Sequence, residues 1–216
     1  MQSSLKHLVI DRLFRNTNGN LKEMHSIISK FSPTLAVTST GTKAVLQWNQ
    51  KQCGLNLSFN SDCSSVFLKE EPYIFRSAVT TQCFHSGRHY WEIHADSRTE
   101  NELKIGVTSQ PLFDFNTAFC DHKFGFAYYG LAQLRHGSNA TGPQYGKRFK
   151  KSGVLGVFLN MDKGTLSFSL NGEDLGVAYF DKDLTKGPLY PSVALLHCSG
   201  CIIKGELPIP KIFESQ

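Results

Sequence analysis

The spacing of hydrophobic residues changes near residue 33 of this chain. Before that point, apolar side chains recur every three or four positions in two sets, which a polar, glycine-containing stretch at residues 16–20 separates. The first set is Leu5, Leu8, Val9 and Leu13, and the second is Leu21, Met24, Ile28 and Phe31. This spacing predicts an N-terminal helical extension over residues 1–33, made of two short helices, and a second domain over residues 34–216.

Beyond residue 33, apolar and polar residues alternate, as they do in strands that bury one face. In the segments Trp91–Ala95 and Leu103–Val107, every second residue is apolar and falls on the same face. Shorter apolar runs at 44–48, 55–59, 66–68, 190–195 and 201–203 predict further strands. A period of two puts one face of each strand in the core and the other toward solvent or a second layer.

Residues 154–180 give the clearest local prediction. Two strand-like segments, Val154–Asn160 and Thr165–Leu170, flank a glycine-containing turn at Met161–Gly164. The following Asn171-Gly172 pair supplies the two positive-φ residues that a tight hairpin turn needs. Two consecutive hairpins form a meander, so this region predicts antiparallel pairing and an all-β domain.

Composition and charge narrow the classes of function. With 216 residues, of which 40% are hydrophobic and 19% charged, the chain can bury a core without disulfides or metal. The formal charge is +5, but the only dense basic run is Lys147–Lys151, which we interpret as a solvated loop. The sequence therefore predicts no nucleic-acid partner.

No apolar stretch is long enough to span a membrane, and the first residues do not resemble a secretory signal. We therefore expect a cytoplasmic protein that does not associate with membranes. In that compartment thiols stay reduced, so most of the six cysteines are expected to be small buried core residues.

Several short motifs occur in the order and spacing of one known family. They are Ser86–Ile93 with its Tyr-Trp-Glu core, Ile105-Gly-Val107, Gly156–Leu159 with Gly164–Phe168, Leu189-Tyr-Pro191, and Gly205–Pro210. Together they resemble the SPRY domain family over about residues 50–210. The upstream stretch Leu57–Val66 resembles the PRY segment that often precedes a SPRY core, although its usual Leu-Asp-Pro element is missing.

The resemblance is strongest to the C-terminal domains of tripartite-motif proteins of the midline-like group. It implies a bent antiparallel β-sandwich of SPRY type, a concanavalin-like jelly roll, over residues 34–216. It also implies a non-catalytic module without cofactor or metal, whose loops bind a protein or peptide. In ubiquitin ligases such a module selects the substrate, so ligase components are possible partners. The chain contains no RING or B-box spacing.

The resemblance further points to a pocket lined by an aromatic strand, its adjoining loop and two other loops. Tyr and Arg are common at binding hot spots because they combine contact area with hydrogen bonding. We expect Phe124 and Phe126 to be buried and one of Tyr128 and Tyr129 to reach the surface. The predicted partner-binding residues are Phe113, Phe115, Tyr128, Tyr129, Gln133, Arg135, His136 and His197.

Two rival functions stay open at this point. Cys198-Ser-Gly-Cys201 is the only CxxC, a spacing that occurs in thiol oxidoreductases and zinc sites, but it has no second ligand pair. A hydrolase would need a nucleophile beside a histidine, and no nucleophile-elbow sequence is present. The other rival is a scaffold whose N-terminal helices mediate self-association or cytoskeletal binding. The sequence does not define the oligomeric state.

Overall fold

A computed structural model describes residues 45–69, 73–100, 103–205 and 207–216. The predicted helices at 1–33 lie outside these residues. The strands of the described part are β1 (Trp48–Cys53), β2 (Leu57–Phe59), β3 (Ser65–Leu68), β4 (Arg76–Thr80), β5 (Arg88–Ala95), β6 (Leu103–Thr108), β7 (Gly125–Tyr129), β8 (Gln133–Arg135), β9 (Val154–Asn160), β10 (Thr165–Leu170), β11 (Glu173–Phe180), β12 (Tyr190–Leu195) and β13 (Gly200–Lys204). Short 3₁₀ turns occur at Phe119–Asp121, Lys182–Thr185 and Lys211–Phe213.

The strands form two antiparallel sheets that face each other. One sheet has six strands in the order β1-β4-β12-β6-β7-β8, and the other has seven in the order β11-β10-β9-β5-β13-β3-β2. This arrangement confirms the predicted all-β antiparallel sandwich. Because β12 lies between β4 and β6, late and early parts of the chain meet in the six-stranded sheet.

Side chains from both sheets fill one core between the layers. Alternation along β5 places Trp91 and Ile93 in this core, at 1% and 0% exposure, as the sequence predicts. On β6, Leu103, Ile105 and Val107 contribute in the same way. The opposite face of β6 points away from the core, and that face carries the candidate site.

Both predicted hairpins are present in the seven-stranded sheet. The first turn has Gly164 at φ 69°, and the second has Asn171 at φ 52° and Gly172 at φ 84°. The pairing Leu170↔Glu173 closes the second hairpin around these two residues. Positive φ at both central residues matches the twist of the flanking strands, which is why Asn-Gly was informative.

The first strand begins later than the apolar run at 44–48 suggests. Leu46 is fully buried, but residues 45–47 are not in a strand, and pairing with β4 starts at Trp48. Isolated hydrogen bonds hold this main chain instead; for example, Thr81 N donates to Gln47 O at 2.8 Å. Leu46 is therefore buried because an extended segment packs on the core, and not because the segment pairs in a β-sheet.

The C-terminal tail covers the outside of the seven-stranded sheet. Phe213 is fully buried and stacks on Phe158 with ring centroids 4.9 Å apart. The main-chain oxygen of Gln216 accepts hydrogen bonds from Asn160 Nδ2 at 3.2 Å and from Lys163 Nζ at 2.6 Å. As predicted from its prolines, the stretch after residue 206 adds no strand, and it packs across the sheet instead.

Candidate functional site

The outer face of the six-stranded sheet, meaning the side away from the shared core, is covered in part by residues 113–121. Ser77 of β4 anchors this segment: its N–H donates to Phe115 O at 2.8 Å, and its hydroxyl donates to Thr117 O at 2.7 Å. The N–H of Phe119 donates back to Ser77 Oγ at 2.9 Å. A small apolar cluster forms where the segment meets the sheet, with Ala118, Phe119 and Cys120 from the segment and Ala127 and Ala194 from the strands.

A buried lysine lies beside this small cluster. Lys104 points outward from β6, yet it is only 1% exposed, and its Nζ is 3.1 Å from Asp121 Oδ1. The same Nζ lies 4.0 Å from the ring centroid of Phe75 and 5.5 Å from that of Tyr129. Cation–π attraction is stronger where water is excluded, and the Asp121 carboxylate offsets part of the cost of burying the ammonium group.

A second cation adjoins the first. Arg135 on β8 is 5% exposed, and its Cζ lies 5.1 Å from the ring centroid of Tyr129. Its guanidinium donates to Leu134 O at 3.0 Å and to Gln133 Oε1 at 2.5 Å. We call Phe75, Lys104, Asp121, Tyr129 and Arg135 together the cation cluster.

Aromatic rings gather on the first residues of the covering segment and on the residues that follow it. The centroid of Phe113 lies 4.5 Å from that of Phe115 and 5.9 Å from that of Phe124, and His122 stacks on Phe124 at 4.9 Å. All four rings are partly exposed, and the neighbouring Leu112 is 70% exposed. We call Phe113, Phe115, His122 and Phe124 the aromatic patch. Phe75 and Phe113 both pack on the small apolar cluster, so the patch and the cation cluster flank it.

Five of the eight predicted residues belong to this face. Tyr129, Gln133 and Arg135 lie in or against the cation cluster, and Phe113 and Phe115 lie in the aromatic patch. These five come from three separate stretches of sequence. The sheet brings them together because β6 pairs with β7 and β7 with β8, and Lys104 lies opposite Tyr129.

Tyr128 requires a correction, because its side chain is fully buried in the main core. It lies opposite Ile105, which faces inward, whereas Tyr129 lies opposite the outward-facing Lys104. Its hydroxyl donates to the carbonyl oxygen of Lys147, and burial raises its pKa. Tyr128 therefore offers no surface to a partner. Phe126 is buried as expected, but Phe124 is only partly buried.

His136 and His197 are not members of the cation cluster. His136 is exposed and stacks on Phe126 at 4.1 Å, and its Nδ1 is 2.8 Å from Gly125 O. His197 follows β12 at a positive φ of 53° and makes an edge contact with Tyr73 at 4.4 Å. Tyr73 is 85% exposed, so this pair forms a separate aromatic projection.

Sequence reasoning missed three members of the cation cluster: Phe75, Lys104 and Asp121. One signal was present for Lys104, since it alternates with the buried Leu103 and Ile105 and so had to face away from the core. Phe75 precedes a strand that the sequence pattern did not reveal. Nothing local indicated that Asp121 would lie against a lysine 17 positions earlier.

The cysteines do not form the buried set that was expected. Cys120 and Cys201 are buried, but Cys53, Cys63, Cys83 and Cys198 are only partly buried. Cys201 lies in β13 opposite Ala95, and burial raises the pKa of its thiol, so it stays protonated at neutral pH. Among the residues that the structure describes, no group of three or more His, Cys, Asp or Glu is arranged to hold a metal ion.

The reactivity of the Cys201 thiol, one of the CxxC pair, can be tested directly. In the native protein at pH 8, we expect iodoacetamide to alkylate Cys201 at least ~100-fold more slowly than Cys63, because Cys201 is buried and protonated. Peptide mass spectrometry after timed quenching measures both rates in one sample, and the unfolded protein supplies the reference. Comparable native rates at the two positions would contradict this burial.

The basic run at 147–151 is exposed except for the buried Phe149. Lys147 Nζ is 2.6 Å from Glu173 Oε2, so one cation of this basic run already has a carboxylate partner. This agrees with a solvated loop. Within the described ranges, no helix has the length and apolar character needed to cross a bilayer.

Comparison with known proteins gives one family. The SPRY domain profile matches residues 88–208. An ATP-dependent RNA helicase DDX1 from Xenopus laevis is 28% identical over 149 residues, covering 67% of this chain and 19% of that protein. Butyrophilin subfamily 1 member A1 from Mus musculus is 31% identical over 146 residues, 62% of this chain and 26% of that protein. The chain thus spans about a quarter or less of these relatives.

Solved structures agree in fold. The SPRY domain of human HERC1 superposes with a TM-score of 0.60 at 17% identity, covering 76% of this chain and 99% of that one. The PSpry domain of TRIM65 gives 0.57 at 18% identity, covering 76% and 90%. At these identities the likeness establishes the shared two-sheet architecture.

Proposed function

Because the chain belongs to the SPRY domain family, we propose that this non-catalytic interaction module binds its protein or peptide partner through the aromatic patch and the cation cluster. The observation that carries the proposal is a set of partly exposed aromatic rings on the outer face of the six-stranded sheet. These rings do not form part of the main core. Large rings on a rigid sheet provide contact area at little entropic cost. Preformed surfaces of this kind bind with little backbone change.

Partner recovery tests the proposed face. Tyr129→Ala and Phe113→Ala remove one ring from each side of the small apolar cluster, and each should reduce recovery of partners by about tenfold or more, as hot-spot truncations do. Phe180→Ala is the matched control, because Phe180 is 82% exposed on β11 of the other sheet. Proximity labelling with the full chain, quantified by mass spectrometry, gives the comparison. Unchanged recovery by Tyr129→Ala and Phe113→Ala would refute this face.

Within that role, we assign the chain to substrate recognition or adaptor work in a ubiquitin-ligase-type system. The support is the motif resemblance to tripartite-motif proteins together with the structural likeness to the TRIM65 domain. If the assignment holds, partners that depend on Tyr129 will lose ubiquitylation when the protein is depleted. Unchanged ubiquitylation would remove the ligase role and leave the binding role. The midline-like kinship and the cytoplasmic location stay predictions.

The scaffold alternative concerns residues 1–33, which lie outside the described part of the chain. Light scattering on the full chain and on a version starting near Pro33 separates it from the binding role. Equal monomeric masses would remove self-association as the function of the extension.

A further inference from the structure

On the outer face, one of the two cations of the cation cluster has no carboxylate partner among the described residues. Lys104 and Arg135 are 1% and 5% exposed. In the described ranges, Asp121 is the only carboxylate that forms an ion pair with either of these two cations, and it pairs with Lys104.

Arg135 holds neutral oxygens instead of a carboxylate. Besides Leu134 O and Gln133 Oε1, Arg135 reaches Ala140 O at 3.4 Å, and its buried Nε has no hydrogen-bond partner. A buried guanidinium without a counter-ion is costly, and residues that break such a local rule tend to do so for a function.

Resting on the proposed function, we infer that the partner presents a carboxylate side chain to the cation cluster beside an apolar side chain on the aromatic patch. The field of a charge is screened less in low-dielectric surroundings than in water, so the covered guanidinium of Arg135 still attracts an anionic group at the surface. The aromatic patch adds the apolar contact. The recognised element is a peptide segment that pairs Asp or Glu with a bulky apolar residue.

Nucleic-acid phosphate is the competing anion, and the arrangement favours a carboxylate. Phosphate backbones are bound by several exposed Lys and Arg side chains that follow the strand. The cations of the cluster are covered, Lys123 is a single exposed cation next to the aromatic patch, and the exposed basic residues Arg148, Lys150 and Lys151 lie on a different loop.

Selection from a random dodecapeptide display library tests the inference with the full chain. The wild type should enrich peptides with Asp or Glu at one fixed position next to an apolar residue. A synthetic selected peptide should bind the wild type about tenfold more tightly than its Asp→Asn or Glu→Gln counterpart, since a buried or partly buried charge pair is involved. Fluorescence anisotropy measures both affinities.

The charge variants locate the effect. Arg135→Gln should shrink the acid-to-amide ratio toward unity, whereas Arg135→Lys should preserve most of it. Arg148→Gln, which removes an exposed cation on another loop, should leave the ratio unchanged. If Arg135→Gln melts below the assay temperature, Gln133→Glu supplies the comparison, because Gln133 Oε1 accepts from Arg135 at 2.5 Å and a carboxylate there would neutralise the arginine from within the protein.

Three outcomes would overturn the inference or its basis. Enrichment of peptides without any fixed acid would end the inference and leave the proposed function standing. If the wild type enriches peptides no more strongly than the Tyr129→Ala variant does, the proposed function is refuted. Binding of a single-stranded oligouridine 12-mer that Arg135→Gln abolishes, without acidic peptides, would make phosphate the ligand and overturn the carboxylate assignment.

Discussion

Alanine at position 91 will lower the free energy of unfolding by ~3–5 kcal/mol, the usual range for removing a buried indole. Trp91 is 1% exposed, lies opposite Val157 on β9, and contacts Phe84 with ring centroids 5.6 Å apart. Its removal leaves a cavity between the two sheets, and the cost grows with the volume that the surrounding side chains do not refill. Since small domains are stable by only ~5–15 kcal/mol, such a loss leaves the domain marginal.

Urea denaturation measures this change when it is monitored by far-ultraviolet circular dichroism, a signal that does not depend on the tryptophan removed. Phe180→Ala serves as the control, because its ring is 82% exposed and its loss should change stability by less than ~0.5 kcal/mol. Equal midpoints for the two variants would mean that Trp91 does not fill the core.

Asp121→Ala will destabilise the protein by about 3 kcal/mol, because it leaves the buried ammonium of Lys104 without its carboxylate. We take the lower part of the usual range, since the Asp121 side chain is 21% exposed. The double variant with Lys104→Met should regain part of the loss. It should not regain all, because Asp121 Oδ2 also accepts from Ala118 N at 3.3 Å.

A double-mutant cycle over wild type, both single variants and the double variant isolates the pair. A coupling free energy of about 1 kcal/mol or more is expected for groups in direct contact. Strict additivity of the two single changes would show that Lys104 does not depend on Asp121.

Local patterns predicted the fold well where one stretch of chain decides its own structure. The meander from β9 to β11 follows from alternation plus two turns, and Asn171-Gly172 fixed its second turn before any tertiary contact was known. Strand β4, in contrast, went unnoticed. Its sequence, Arg-Ser-Ala-Val-Thr, has little apolar contrast, and pairing with β1 and β12 determines its conformation.

The sequence predicted which kinds of residue form the site, but not which individual residues belong to it. Along β7, Phe126 and Tyr128 share a face, so the expected burial of Phe126 already implied burial of Tyr128 and exposure of Tyr129. That signal was available and would have corrected the choice. The contact of Lys104 with Phe75 was not available, because it depends on β12 lying between β4 and β6.

The anchored end of the chain has a practical consequence for binding measurements. Gln216 is tied down by Asn160 and Lys163 on the seven-stranded sheet, the layer opposite the cation cluster and the aromatic patch. A biotin linker attached after Gln216 would therefore fix the molecule to a sensor chip with its six-stranded layer turned toward the flowing analyte. A tether on the loop at 113–121 would instead mask the surface being assayed.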